Sequence, residues 1–84
     1  MNSAQERMLA LVLRHNPPAS IEWRKVEALL LSLGARSIEG RGSRVRFELN
    51  GVVAAFHRPH PGKEIKPYQL KIIRDLLHEA GITP

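Results

Sequence analysis

The chain has 84 residues, enough for one domain with one modest core. It is 43% hydrophobic and 25% charged, an ordinary globular composition that argues against wholesale disorder. It has no cysteine, which excludes a disulfide-stapled scaffold, a Cys-ligated zinc module, an iron–sulfur site and a thiol nucleophile. The longest unbroken apolar run, Met8 to Leu13, is too short to span a bilayer and reads neither as a signal peptide nor as an anchor. Thirteen Lys and Arg against eight Asp and Glu leave a formal charge of +5, which makes a polyanionic partner worth testing, with simple solubility as the plain alternative. The expected compartment is the cytoplasm.

Asn16-Pro17-Pro18-Ala19-Ser20 breaks the chain early and separates residues 1–20, a helical extension with a proline-containing linker, from a domain at 21–84. In the extension, Ala4, Met8, Leu11 and His15 share a helical stripe beside Leu9, Val12 and Leu13. This predicts a helix over 3–14 with Ser3 as its N-cap, packed on the domain or on a partner. Val26, Leu29, Leu30 and Leu33 follow helical spacing, and Gly34 stops it, so a helix is expected at 23–33 with Trp23 as a buried staple at its entry.

A short strand at 35–39 is expected next, then the flexible basic turn Gly40-Arg41-Gly42-Ser43. Residues 44–49 alternate strictly, with Val45, Phe47 and Leu49 apolar. Asn50-Gly51 is a strong hairpin signal, because a type I′ turn needs positive φ at both central positions. With a two-residue turn the returning strand, 52–57, has a fixed register. Leu49 faces Val52, Phe47 faces Ala54 and Val45 faces Phe56 on one apolar side, while Arg46 faces Ala55 and Arg44 faces His57 on the other. After the loop Arg58-Pro59-His60-Pro61-Gly62, Pro67 suits the first turn of a last helix whose buried side carries Leu70, Ile72, Ile73, Leu76, Leu77 and Ala80, and Gly81 ends it. The expected fold class is α+β: an α-β-β-β-α core with helices on one face of a three-stranded antiparallel sheet, and an additional helix in front.

The four histidines are the main candidates for acid–base chemistry. His15 and His78 lie in charged helical surroundings and read as solvated surface residues. His57 and His60 form a local cluster without nearby Asp or Cys, a poor donor set for zinc, so no metal is expected. RNA cleavage by the RNA's own 2′-OH needs a base, an acid for the leaving oxygen, and cations at the phosphorane. The register puts His57 opposite Arg44 and diagonal to Arg46, and arginine is well suited to clamping phosphate. The bland alternative is a solvated basic strand face. Lys63 and Lys66 precede the last helix, whose N-terminal amides favour an anion; Lys71 follows one turn later, and Arg41 and Arg36 widen the basic region. With few aromatics, recognition by shape and backbone contacts is the expectation.

Four segments, at 29–34 (LLLSLG), 40–46 (GRGSRVR), 60–66 (HPGKEIK) and 70–81 (LKIIRDLLHEAG), resemble in order and spacing the HicA family of bacterial toxins. The resemblance covers about 21–82 and leaves out the first helix. It implies a double-stranded-RNA-binding-like fold and the activity of a type II toxin–antitoxin toxin, an mRNA endoribonuclease acting without metal or cofactor and neutralised by a HicB-type antitoxin protein. The family usually carries its catalytic histidine directly after Gly-Ser. Here Arg44 follows Gly42-Ser43, whereas the family's loop histidine matches His60. The expectation is therefore that His57, across the ladder from Arg44, is the base and that His60 assists. Arg41, Arg44, Arg46, Lys63, Lys66 and Lys71 are the expected RNA contacts. The alternatives are a non-cleaving RNA-binding or antitoxin-binding module of the same fold, and a protein-interaction domain with no nucleic-acid role.

Overall fold

The computed structural model describes residues 2–14, 16–18, 20–59 and 62–82. Three helices and three strands follow in the order α1 (Ser3–Leu13), α2 (Trp23–Ser32), β1 (Arg36–Glu39), β2 (Arg44–Leu49), β3 (Val52–His57) and α3 (Pro67–Glu79). The sheet is antiparallel in the order β1-β2-β3, and the class is the expected α+β arrangement with an N-terminal helix.

The β2–β3 hairpin carries the register set by its turn. Asn50 and Gly51 both take positive φ, 52° and 83°, and the pairs run from Leu49 opposite Val52 to Arg44 opposite His57. The Asn50 side chain also donates to the Ala80 carbonyl at 2.9 Å, tying the turn to the end of α3. One face of the sheet is apolar and covered: Val45, Phe47, Leu49 and Phe56 are buried against Trp23, Val26, Leu29 and Leu30 of α2 and Leu70, Ile73 and Leu77 of α3. Trp23 stacks on Phe56 at 4.5 Å and tilts against Phe47 at 5.8 Å, so it is a core staple as the sequence predicts. The opposite face is left to solvent, with Arg44, Arg46, Ala55 and His57 exposed and Val53 55% exposed.

One detail of α1 differs from expectation. Its N-cap is Asn2, not Ser3: the Asn2 Oδ1 accepts the Gln5 amide at 2.9 Å while Gln5 returns the bond to the Asn2 amide at 3.1 Å, a reciprocal capping box that makes Ser3 the first helical residue. Of the two apolar stripes, the one with Leu9 and Val12 faces the core, while Ala4 is exposed and Met8 and Leu11 are half-buried. The helix docks on α2 and α3, and Arg74 Nε donates to the Val12 carbonyl at 3.2 Å.

The end of the sheet near His57 is locked from the helical side. Arg58 grips Glu39 of β1 bidentately, at 2.8 and 2.7 Å, and reaches Glu27 of α2 at 3.1 Å. The hydrogen bonds from Arg58 hold the Glu39 carboxyl below the usual carboxylate range, and the bonds to Glu39 and then Glu27 raise the guanidinium further above its already high value. Because the Glu39 value is lowered on folding, its contribution to stability is complete above the ordinary carboxylate range and is lost as pH falls through the lower folded value. Thermal melts between roughly pH 6 and pH 3 should show wild type ahead of Glu39→Gln at the upper end, with the small gap closing toward the acid end.

Candidate active site

β2 and β3 position the residues that matter. The Arg58 amide donates to the Ser43 carbonyl at 2.9 Å, so Ser43 and Arg58 form a hydrogen-bonded pair. In an antiparallel ladder the next pair inward, Arg44 and His57, is then a non-hydrogen-bonded one, the kind in which facing side chains stand closest, at about 4.5 Å between Cα atoms. Both project from the uncovered face, with Arg46 one step along β2.

On its other side Arg44 meets Gly40, whose amide donates to the Arg44 carbonyl at 2.9 Å. A Cβ at Gly40 would lie 3.1 Å from the Arg44 Cβ and 3.3 Å from its carbonyl oxygen, so glycine keeps room for the Arg44 side chain. Gly40, Arg41, Arg44, Arg46, Ala55 and His57 line a shallow depression of about 420 Å³ at this end of the sheet. Three guanidinium groups beside one imidazole give it the chemistry to hold a phosphodiester and move a proton.

His57 is held from below by a residue that the sequence reading did not single out. Gln69 of α3 is buried, 3% exposed; its Nε2 donates to the His57 carbonyl at 2.9 Å and its Oε1 accepts the Lys66 amide at 2.9 Å. One side chain thus joins the last residue of β3 to the entry of α3. The signal was a polar residue on the same helical stripe as Ile73, Leu76 and Leu77. Gln69→Leu leaves two main-chain groups without a partner and should cost about 1–3 kcal/mol in denaturant unfolding.

The other expected residues are distributed less tightly. Lys66 is the N-cap residue of α3, exposed and one buried side chain away from His57. Lys63 is exposed, and its carbonyl accepts the Trp23 amide at 2.9 Å, part of a short bridge in which Ile65 also bonds Ile21. Lys71 pairs with Asp75 at 2.9 Å on the surface of α3, and Arg36 pairs with Glu48 at 3.0 Å toward the hairpin-turn end of the sheet. His60 and His15 lie outside the described residues. Among the described residues no cluster of His, Asp and Glu is assembled to hold a metal ion, and no helix is long and apolar enough to cross a membrane.

Comparison with known proteins adds one finding. The family model described as the HicA toxin of bacterial toxin–antitoxin matches residues 23–82. No curated protein and no solved structure matches the chain. The matched stretch runs from the entry of α2 to just past α3 and contains the whole sheet, leaving α1 outside it.

Proposed function

The chain belongs to the HicA family of bacterial toxin–antitoxin toxins, and on that premise we propose that it is a metal-independent mRNA endoribonuclease whose base is His57. The observation that carries this reading is the Arg44–His57 pair, side by side on an uncovered strand face within an arginine-lined depression.

In the proposed reaction the His57 imidazole takes the proton from a ribose 2′-OH. The resulting oxygen attacks the adjacent phosphorus, and the bond to the 5′-oxygen of the next nucleotide breaks. That oxygen leaves protonated, with His60 as the donor or as the residue positioning it. Arg41, Arg44 and Arg46 offset the charge that builds on the phosphorane, and such preorganised cations act most strongly where charge develops. Lys63 and Lys66 carry the flanking backbone, with Lys71, already paired with Asp75, at the margin. The family's usual histidine position is Arg44 here, so in this reading the imidazole has moved one strand over and the guanidinium has taken a phosphate role. A HicB-type antitoxin would neutralise the toxin by covering this face, and both would act in the cytoplasm.

The reading is tested with protein freed of antitoxin and incubated with RNA in EDTA. The expected products carry a 2′,3′-cyclic phosphate on one side and a 5′-hydroxyl on the other. Intact RNA that is nevertheless bound by folded protein would instead support the non-cleaving RNA-binding module. RNA affinity should fall steeply with salt, and Arg44→Ala should make that slope shallower by about one phosphate contact.

A further inference from the structure

The Ala4–Met8–Leu11 stripe of α1 is only partly covered: Ala4 is exposed, and Met8 and Leu11 are half-buried, Met8 packing against the core. Ala4, Met8 and Leu11 of α1 and Ala28 of α2, beside the polar Asn2 and Gln5, line a groove of about 500 Å³ between the two helices, and Arg7 and Lys25, one on each helix, line it too. Leu31, 49% exposed, extends the apolar surface along α2, three residues beyond Ala28. Among the described residues neither Arg7 nor Lys25 is in an ion pair; the pairs present are Arg36–Glu48, Arg58 with Glu27 and Glu39, and Lys71–Asp75. The groove lies away from the open sheet face, and its α1 half lies outside the family match.

An apolar lining beside two unpaired cations complements an amphipathic helix that carries carboxylates beside its apolar stripe. A second copy of this chain is a poor occupant. In a two-fold contact the same cationic patch, with Arg7 and Lys25, would lie on both sides, and each copy carries +5. An RNA backbone gains nothing from the apolar lining.

We propose that this groove receives an acidic amphipathic helix of the antitoxin protein, a hold on the toxin separate from the sheet face that carries His57. The proposal rests on the reading of the chain as a toxin restrained by a protein antitoxin.

The test titrates the co-encoded antitoxin into full-length toxin, comparing wild type with Arg7→Glu/Lys25→Glu and with Ala28→Glu. Ala28 is exposed and helical, so glutamate there fills the groove without entering the core. Each variant should bind the antitoxin about tenfold or more weakly, with unchanged melting temperature, and added salt should weaken wild type more than the charge-reversed variant. Wild-type affinity in both variants overturns the proposal. So does a wild-type dimer in sedimentation that Ala28→Glu dissociates, or RNA affinity that falls further with Arg7→Glu/Lys25→Glu than with the equal charge change Arg14→Glu/Arg24→Glu outside the groove, since these assign the groove to a second copy or to RNA. Failure of wild type itself to bind the antitoxin overturns the underlying reading, and the proposal with it.

Discussion

His57→Ala should abolish RNA cleavage while leaving the fold and most of the RNA affinity in place. A positioned general base is worth about 10²–10⁴ in rate, so single-turnover cleavage should drop by that factor. The side chain is exposed, and the hydrogen bond that anchors this residue to Gln69 uses its backbone carbonyl, which alanine retains. Stability should therefore shift by no more than about 0.5 kcal/mol. RNA affinity should stay within a few-fold of wild type because the arginines remain. A loss confined to the chemical step separates a base from a mere RNA contact.

The opposite pattern is expected at Phe47. This ring is fully buried beneath β2, 0% exposed, against Trp23, and faces Ala54 across the hairpin. Phe47→Ala removes the ring and leaves a cavity that two helices and a sheet cannot close, at a cost of about 3–5 kcal/mol. Whole domains are stable by only about 5–15 kcal/mol, so the melting transition should move down sharply and the unfolded fraction should rise. Denaturant unfolding at fixed temperature measures the loss directly. Near-wild-type stability would mean that the core is not organised around the Trp23, Phe47 and Phe56 rings.

Phe47 lies three ladder positions from the Arg44–His57 pair and on the opposite face, so strand alternation turns its ring into the core and the His57 side chain to solvent. That much is legible from residues alone. A two-residue Asn-Gly turn leaves one register, and this register brings His57 to Arg44 before any coordinates are known. Helical spacing closed by glycine likewise marks α2 and α3 to within a residue or two.

What stayed hidden depends on distant pairings. Arg58 stands in a proline-rich loop where its sequence context suggests no role, yet Glu39 and Glu27 hold it on the helical side of the sheet. Nothing local announces partners that are 19 and 31 residues away. Gln69 falls on the buried stripe of α3, but its purpose shows only when β3 and the α3 entry are seen to need a donor and an acceptor at one point. In α1 two apolar stripes run side by side, and the more hydrophobic one, with Leu9 and Val12, is buried while Arg74 bonds the Val12 carbonyl. The stripe that lost, Ala4–Met8–Leu11, then becomes a surface in its own right.

The most direct test of a relocated base is chemical rescue. His57→Gly protein would be incubated with RNA in EDTA across a series of imidazole concentrations, with wild type alongside. If His57 supplies the base beside Arg44, the variant is inactive alone, and free imidazole restores cleavage at the wild-type bonds with the same 2′,3′-cyclic phosphate end. Cleavage by His57→Gly at the wild-type rate without imidazole would contradict the assignment and place the base elsewhere in the chain.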